Sequence, residues 1–292
     1  VHAKWWKNPG SFWLIATEYN KFLYVYFSNK FFTCEDYMLF IRSLIFNICC
    51  YGLILLGAVI SLFLAPFPQK LSIKFWNGIM QPSSRILLKI ICGLDIEIRG
   101  KEHISQSGVI YACKHQSAME TYYLTTIIKT GVFILKRELH FIPFFGWASH
   151  FYGMIPVNRS AGSAAMKNML KESKKRVAKG RPIIIFPEGT RTKPETTTQY
   201  KPGVAFLYQN LGLPVVPVAL NTGLFWEKAS FMRYPGKVII EFMPPIAPGL
   251  EKKEFMDTLK QKIENKCEEL NQEAFKKYPY TLDLLQKYKK VK

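Results

Sequence analysis

The chain has 292 residues, of which 49% are hydrophobic and 21% charged, and it carries a formal net charge of +19 at pH 7. This composition excludes a disordered chain, and the length suits one sizeable α/β domain with a membrane segment, or two small domains. So large a positive charge implies an anionic partner: nucleic acid, an acidic membrane, or an acidic protein or substrate.

Residues 1–37 are rich in aromatics (Trp5, Trp6, Trp13, Tyr19, Tyr24, Tyr26) and read as a leader of unclear role. Either an interfacial extension or a stretch upstream of a natural start at Met38 fits them. From Ser43 to Phe67 no charged residue occurs. A helix of that length spans about 37 Å, enough to cross the hydrocarbon core with some tilt. Pro66 and Pro68 end the run and no small-residue cleavage site follows, which favours an anchor over a cleaved signal. A second apolar patch, residues 79–94, carries Arg85 and Lys89, the pattern of a helix lying in the interface. Residues 38–93 are therefore read as a membrane-anchoring helical region, with one crossing and a shallow hairpin both open. Basic residues on both flanks leave the orientation unassigned.

From Leu94 the texture changes. Residues 95–100 alternate polar and apolar, as a half-buried strand does. Further strands are expected at 108–113, 132–135, 154–157, 182–186, 215–220 and 237–242, and helices at 119–128, 164–179, 203–211, 251–274 and 281–290. Alternating strands and helices predict an α/β fold, with a mostly parallel central sheet flanked by helices and preceded by the N-terminal anchoring segment. The domain is placed at 94–250, with C-terminal helices at 251–292. The six cysteines (Cys34, Cys49, Cys50, Cys92, Cys113, Cys267) form no C-x-x-C pair and no metal spacing, so a reduced, cytosolic soluble part without metal is expected.

Chemistry is concentrated at strand ends. Lys114-His115-Gln116-Ser117-Ala118-Met119-Glu120 puts a histidine five residues before a carboxylate. Neutral imidazole accepts a proton near pH 7, and a carboxylate on its far nitrogen fixes the tautomer. A capped core histidine beside a surface glutamate gives the same spacing. Phe186-Pro187-Glu188-Gly189-Thr190-Arg191 sets a tight turn at the sheet's carboxyl edge, where α/β proteins bind ligands. Gly189 admits close backbone approach, Thr190 adds a hydroxyl, and Arg191 forks onto phosphate oxygens. A loop with a Glu188–Arg191 salt bridge is the plain alternative. Lys136-Arg137 and Arg159 follow two other strands, and four such ends together point to one anionic group. Seven Lys or Arg between residues 167 and 181 form either a solvated helix face or a patch for a membrane or an acidic protein.

Four blocks in order resemble the membrane-bound glycerolipid acyltransferases, most closely the bacterial 1-acyl-sn-glycerol-3-phosphate acyltransferases, over roughly residues 38–274. The first block, usually Asn-His-x4-Asp, stands as Lys114-His115-x4-Glu120. The second matches Gly153 to Arg159, the third Phe186 to Arg191, and the fourth Val215-Val216-Pro217-Val218-Ala219-Leu220. The resemblance implies that His115 is the base and Glu120 its orienting acid. It implies a phosphate site in the second and third blocks, at Arg159, Glu188, Gly189, Thr190 and Arg191, to which the strand-end Lys136 is added, and an acyl groove near Val216, Pro217 and Val218. An amide near Gly189 is expected at the oxyanion. The implied reaction is acyl transfer from acyl-CoA or acyl carrier protein to the sn-2 hydroxyl of lysophosphatidic acid, giving phosphatidic acid. No cofactor or metal is implied, and the setting is the cell inner membrane with the catalytic domain on its cytoplasmic side. Glu in place of Asp makes the acceptor less secure, leaving another lyso-lipid or glycerol 3-phosphate as alternatives. A non-catalytic membrane-binding protein has no reason to keep His115 with Glu120. A nucleic-acid binder lacks its basic-aromatic interleaving in the soluble part.

Overall fold

The computed structural model describes residues 33–142, 145–228 and 230–290, with side chains through residue 286. Most of the leader, residues 1–32, lies outside the described residues. The chain falls into two compact units, residues 1–41 and 42–292. In the first, Thr33 and Asp36 exchange hydrogen bonds, with Asp36 Oδ2 accepting from the Thr33 N–H at 3.0 Å and the Asp36 N–H donating to Thr33 Oγ1 at 3.3 Å. This reciprocal pair caps helix α1, Cys34–Leu64.

The second unit takes in the rest of α1, which is 31 residues long overall. Among the described residues it is the one helix long and apolar enough to cross a membrane. Beyond Leu64 the chain folds back through α2 (Gln69–Phe75), a π-helical turn (Trp76–Met80) and α3 (Gln81–Cys92). The return is tight at Gly57, where an added Cβ would lie 2.6 Å from Met80 and 3.0 Å from Trp76. Trp76 Nε1 donates to Ser61 Oγ at 2.9 Å, satisfying the indole inside the contact. These helices therefore pack back on α1 as a helical hairpin. Ser43 and Asn47 interrupt the apolar run because they face buried Arg233: Ser43 Oγ accepts its N–H and Asn47 Oδ1 its Nη2, both at 3.0 Å.

Seven strands follow: β1 Leu94–Arg99, β2 Ile110–Cys113, β3 Val132–Lys136, β4 Ile155–Val157, β5 Ile183–Ile185, β6 Val215–Leu220 and β7 Gly236–Phe242. They form one sheet in the order β1-β7-β6-β2-β5-β3-β4. β2 to β6 run the same way, β1 runs parallel to β7, and among the described strands the β6–β7 pairing is the antiparallel one. Between the strands lie α4 (Met119–Ile127), α5 (Phe145–Tyr152), α6 (Gly162–Val177), α7 (Gly203–Leu211), α8 (Thr222–Phe225), α9 (Lys252–Lys277) and α10 (Tyr280–Lys290).

The period-2 alternation of strands sorts the core into two layers. On β2, Tyr111 and Cys113 face a cluster with Val216, Val218, Leu124 and Phe242. Ile110 and Ala112 face the opposite cluster, with Met169 of α6, Val204 and Leu207 of α7, and Phe255, Leu259 and Ile263 of α9. Helix α9 thus covers one face of the sheet, and position 250 is no boundary in the packing.

Candidate active site

Because β2 to β6 are parallel, their carboxyl ends deliver their following loops to one edge of the sheet, with β2 at the centre. His115 follows β2, the Glu188 turn follows β5, Lys136 ends β3, Arg159 follows β4, and Thr222 follows β6.

Glu120 is the second residue of α4 and is fully buried. Its Oε1 accepts from the Gln116 N–H at 2.6 Å and the Ser117 N–H at 2.7 Å, and lies 2.9 Å from His115 Nδ1. Its Oε2 accepts from Thr222 Oγ1 at 3.0 Å. The carboxylate thus takes up two amides of the loop leading into the helix, and in the helix's first turn its negative charge also meets the favourable end of the helix dipole. The longer arm of Glu reaches the imidazole while anchored at both oxygens. An ionised Glu120 accepts from Nδ1–H, and that tautomer leaves the lone pair on Nε2. The imidazole lies flat on Phe186, with centroids 3.9 Å apart and planes 13° apart, and Phe133 in turn stacks with Phe186. The ring's tilt is therefore set.

The His115 peptide is gripped as well. Glu188 Oε2 accepts its N–H at 2.8 Å, and its carbonyl accepts from the Thr192 N–H at 2.8 Å and Oγ1 at 3.2 Å. The other Glu188 oxygen lies 2.7 Å from Lys114 Nζ and accepts from Thr192 Oγ1 at 2.9 Å. Lys114 Nζ also meets Glu264 of α9 at 2.8 and 2.9 Å and the Thr196 carbonyl at 3.3 Å. The side chains of Lys114 and Glu188 are 2% and 0% exposed, so the carboxylate has no open path to a substrate. This corrects the expectation of Glu188 as a phosphate contact, and also the alternative of a bridge to Arg191. Burial opposes the charge on Lys114, but Glu188 and Glu264 outweigh it and hold the lysine above its ordinary value. Burial pushes the Glu188 carboxyl up, against the lowering effect of Lys114 and its hydrogen-bond donors.

Gly189 has φ +70°, a conformation that favours glycine at this turn. Its N–H donates to the Phe186 carbonyl at 2.9 Å, so that amide is already used and is not the oxyanion donor. Arg159 is exposed, and its Nη1 donates to the Gly189 carbonyl. Thr190 is exposed and Arg191 half-buried, and among the described residues no protein group pairs with the Arg191 guanidinium. One turn therefore carries Arg191, takes a hand from Arg159 and, through Glu188, holds His115. Lys136 is half exposed and pairs at 3.8 Å with Glu138. All six residues of β6 are buried. Val216 and Val218 lie in the layer with Tyr111 and Phe242, and Val216 also lines a surface pocket with Val109, Pro214 and Pro245.

A family model described as "Acyltransferase" matches residues 95–221. The chain is 33% identical over 208 residues to a 1-acyl-sn-glycerol-3-phosphate acyltransferase of Pseudomonas aeruginosa, a stretch covering 70% of this chain and 80% of that relative. The chain belongs to this acyltransferase family. A 1-acyl-sn-glycerol-3-phosphate acyltransferase of Limnanthes douglasii is 29% identical over 203 residues, covering 68% of this chain and 71% of its own. The fold is similar to the crystal structure of the 1-acyl-sn-glycerophosphate acyltransferase of Thermotoga maritima, with a TM-score of 0.67 over 80% of this chain and 96% of that one, at 23% identity.

Four residues of this acyltransferase site escaped the sequence reading: Thr192, Tyr200, Thr222 and Glu264. Tyr200 OH donates to Glu264 Oε1 at 2.9 Å. The one available signal was Lys114 in a place that the family usually gives to Asn, since a buried ammonium demands a counter-charge. Nothing in the sequence says which acid supplies it.

Proposed function

We propose that the protein transfers an acyl chain from a thioester to the sn-2 hydroxyl of 1-acyl-glycerol 3-phosphate, making phosphatidic acid. The observation that carries this reading is the 2.9 Å contact from His115 Nδ1 to a buried, fully anchored Glu120, on the same turn system as Arg159 and Arg191. His115 Nε2 takes the hydroxyl proton as the oxygen attacks the thioester carbonyl. Glu120 stabilises the imidazolium that forms. The tetrahedral intermediate collapses with loss of the thiolate, which takes the proton back from Nε2–H, so the imidazole ends as it began. Arg159 and Arg191 bind the acceptor's phosphate by forked, charge-assisted hydrogen bonds, with the exposed Thr190 hydroxyl beside them. Fixing the acceptor this way supplies several kcal/mol of barrier reduction through positioning, within the ~7–11 kcal/mol that well-oriented reactions gain.

The donor is an acyl-CoA or an acylated carrier protein; no resident cofactor takes part. The apolar hairpin keeps the unit at a membrane, and both lipids enter from it. We assign the protein to the cell inner membrane with the α/β unit on the cytoplasmic side. The test is turnover of lysophosphatidic acid with each donor, by the purified protein and by His115→Ala. The variant is expected to keep the fold and lose nearly all transfer, on the scale of the ~10²–10⁴-fold worth of a general base. Wild-type turnover by folded His115→Ala removes the imidazole from the mechanism.

A further inference from the structure

We propose that Glu264, on α9 and outside the region matched by the family model, is a positioning residue for the transfer, acting on His115 through Lys114 and Glu188. The proposal rests on the base role given to His115 above. Glu264 touches no reacting atom; what it touches is the ammonium next to the base.

The chain of contacts is continuous. An ammonium has three N–H donors. Those of Lys114 meet Glu188 Oε1 at 2.7 Å, the Glu264 carboxylate at 2.8 and 2.9 Å, and the Thr196 carbonyl at 3.3 Å. Lys114 is 2% exposed, so water does not replace a lost partner. Glu188 in turn has its second oxygen on the His115 N–H, while Thr192, bonded to Glu188 Oε1, holds the His115 carbonyl. Two carboxylates thus share one buried ammonium, and the catalytic peptide is tied to one of them. Glu264 is held in its turn by Tyr200, from the strap that runs from the Glu188 turn to α7. Without the Glu264 charge, Lys114 loses one of its two counter-charges, and a Gln in its place offers one acceptor and turns an NH2 donor toward the ammonium; Lys114 then shifts, and Glu188, which it pairs with, shifts with it. The His115 peptide then shifts against the phosphate site, which stays on Arg159 and Arg191.

The predicted signature is a loss in rate without a loss in acceptor binding. With the full chain, lysophosphatidic acid and a thioester donor, Glu264→Gln is expected to lower kcat about tenfold, with KM for the acceptor within about twofold of wild type, as a small misplacement of the base demands. In a Lys114→Asn background, Glu264→Gln is expected to cost nothing further, because its route to His115 is gone. Glu268→Gln, one turn along α9 with its carboxylate on Gln272, serves as the control at wild-type rate. Should Glu264→Gln fail to fold, Tyr200→Phe, which removes only the hydroxyl holding Glu264, is expected to show a smaller kcat loss, again absent in the Lys114→Asn background. Wild-type kcat in folded Glu264→Gln overturns the proposal. So does an equal loss in both backgrounds, and so does a KM rise that tracks a lowered melting temperature, because these mark a packing role of α9. A His115→Ala arm separates the two readings. If that variant is inactive while Glu264→Gln is wild type, only the Glu264 role falls; if His115→Ala turns over normally, the base assignment falls and takes this one with it.

Discussion

At the scale of single residues, the site is a set of donors and acceptors with little slack. Glu120 serves two amides, one hydroxyl and one imidazole. Glu120→Asp draws the carboxylate back by about one bond length, ~1.5 Å. It can then keep the amides or the imidazole, not both. The expected outcome is a kcat loss of about ten- to a hundredfold with KM for the acceptor little changed; unchanged kcat would show that imidazole orientation does not depend on this contact. Arg191 is the complementary case. Its guanidinium meets no protein partner among the described residues, so Arg191→Ala leaves the protein's own bonds intact. It is expected to raise KM for the phosphorylated acceptor, by about one charge-assisted hydrogen bond or ~1.5–3 kcal/mol, read by steady-state kinetics; a fall in kcat at constant KM contradicts the phosphate role. His115 with Glu120 was legible in the sequence because both partners lie within one short segment that the helix start brings together. Glu188 was expected among the phosphate contacts, with a bridge to Arg191 as the plain alternative; its counter-ion, Lys114, sits 74 positions upstream on a neighbouring strand end, where nothing in the sequence marks the pairing.

At the scale of elements, legibility followed periodicity. The strands at 215–220 and helix at 203–211 were expected at the ends that the structure gives them, since long apolar runs and clear turns bracket both. Helix α5, Phe145–Tyr152, was missed. Its sequence FGWASHFY carries large aromatics on every side, and no 3.6-residue stripe stands out. Helix α9 was expected, but not as part of the core. Its buried positions Phe255, Leu259, Ile263, Cys267, Leu270 and Ala274 recur at spacings of four and three, as a helix stripe must. Leu259→Ala, at a fully buried position, is expected to cost about 2–5 kcal/mol in denaturant unfolding. A cost below about 1 kcal/mol would mean that α9 packs loosely on the sheet. The antiparallel β6–β7 pairing was out of reach of the sequence because strand direction depends on connections, not on residue pattern.

At the scale of the whole molecule, surface charge is unbalanced but locally paired along the sheet's β1 edge. Asp95 is held below the ordinary value of 3.8 chiefly by a hydrogen bond from Lys89. Glu97 and Glu273 lie below the ordinary 4.5, each chiefly through Arg99. Carboxyls lowered in this way add stability that is complete above their ordinary values and fades as pH falls through the lowered ones. The melting temperature, followed by circular dichroism, is therefore expected to hold between about pH 7 and 5 and to drop below about pH 4. A flat profile down to about pH 3 would show that these pairs do nothing for the fold. The separation of Lys114 from Glu264, 150 positions along the chain, has a consequence in time. Synthesis produces the apolar hairpin first, the histidine segment next, and α9 late. The clasp behind the imidazole thus closes among the last contacts made, when the hairpin has long been available to a bilayer. On the role proposed for Glu264, the nascent chain exposes its apolar hairpin before its catalytic peptide is held in place.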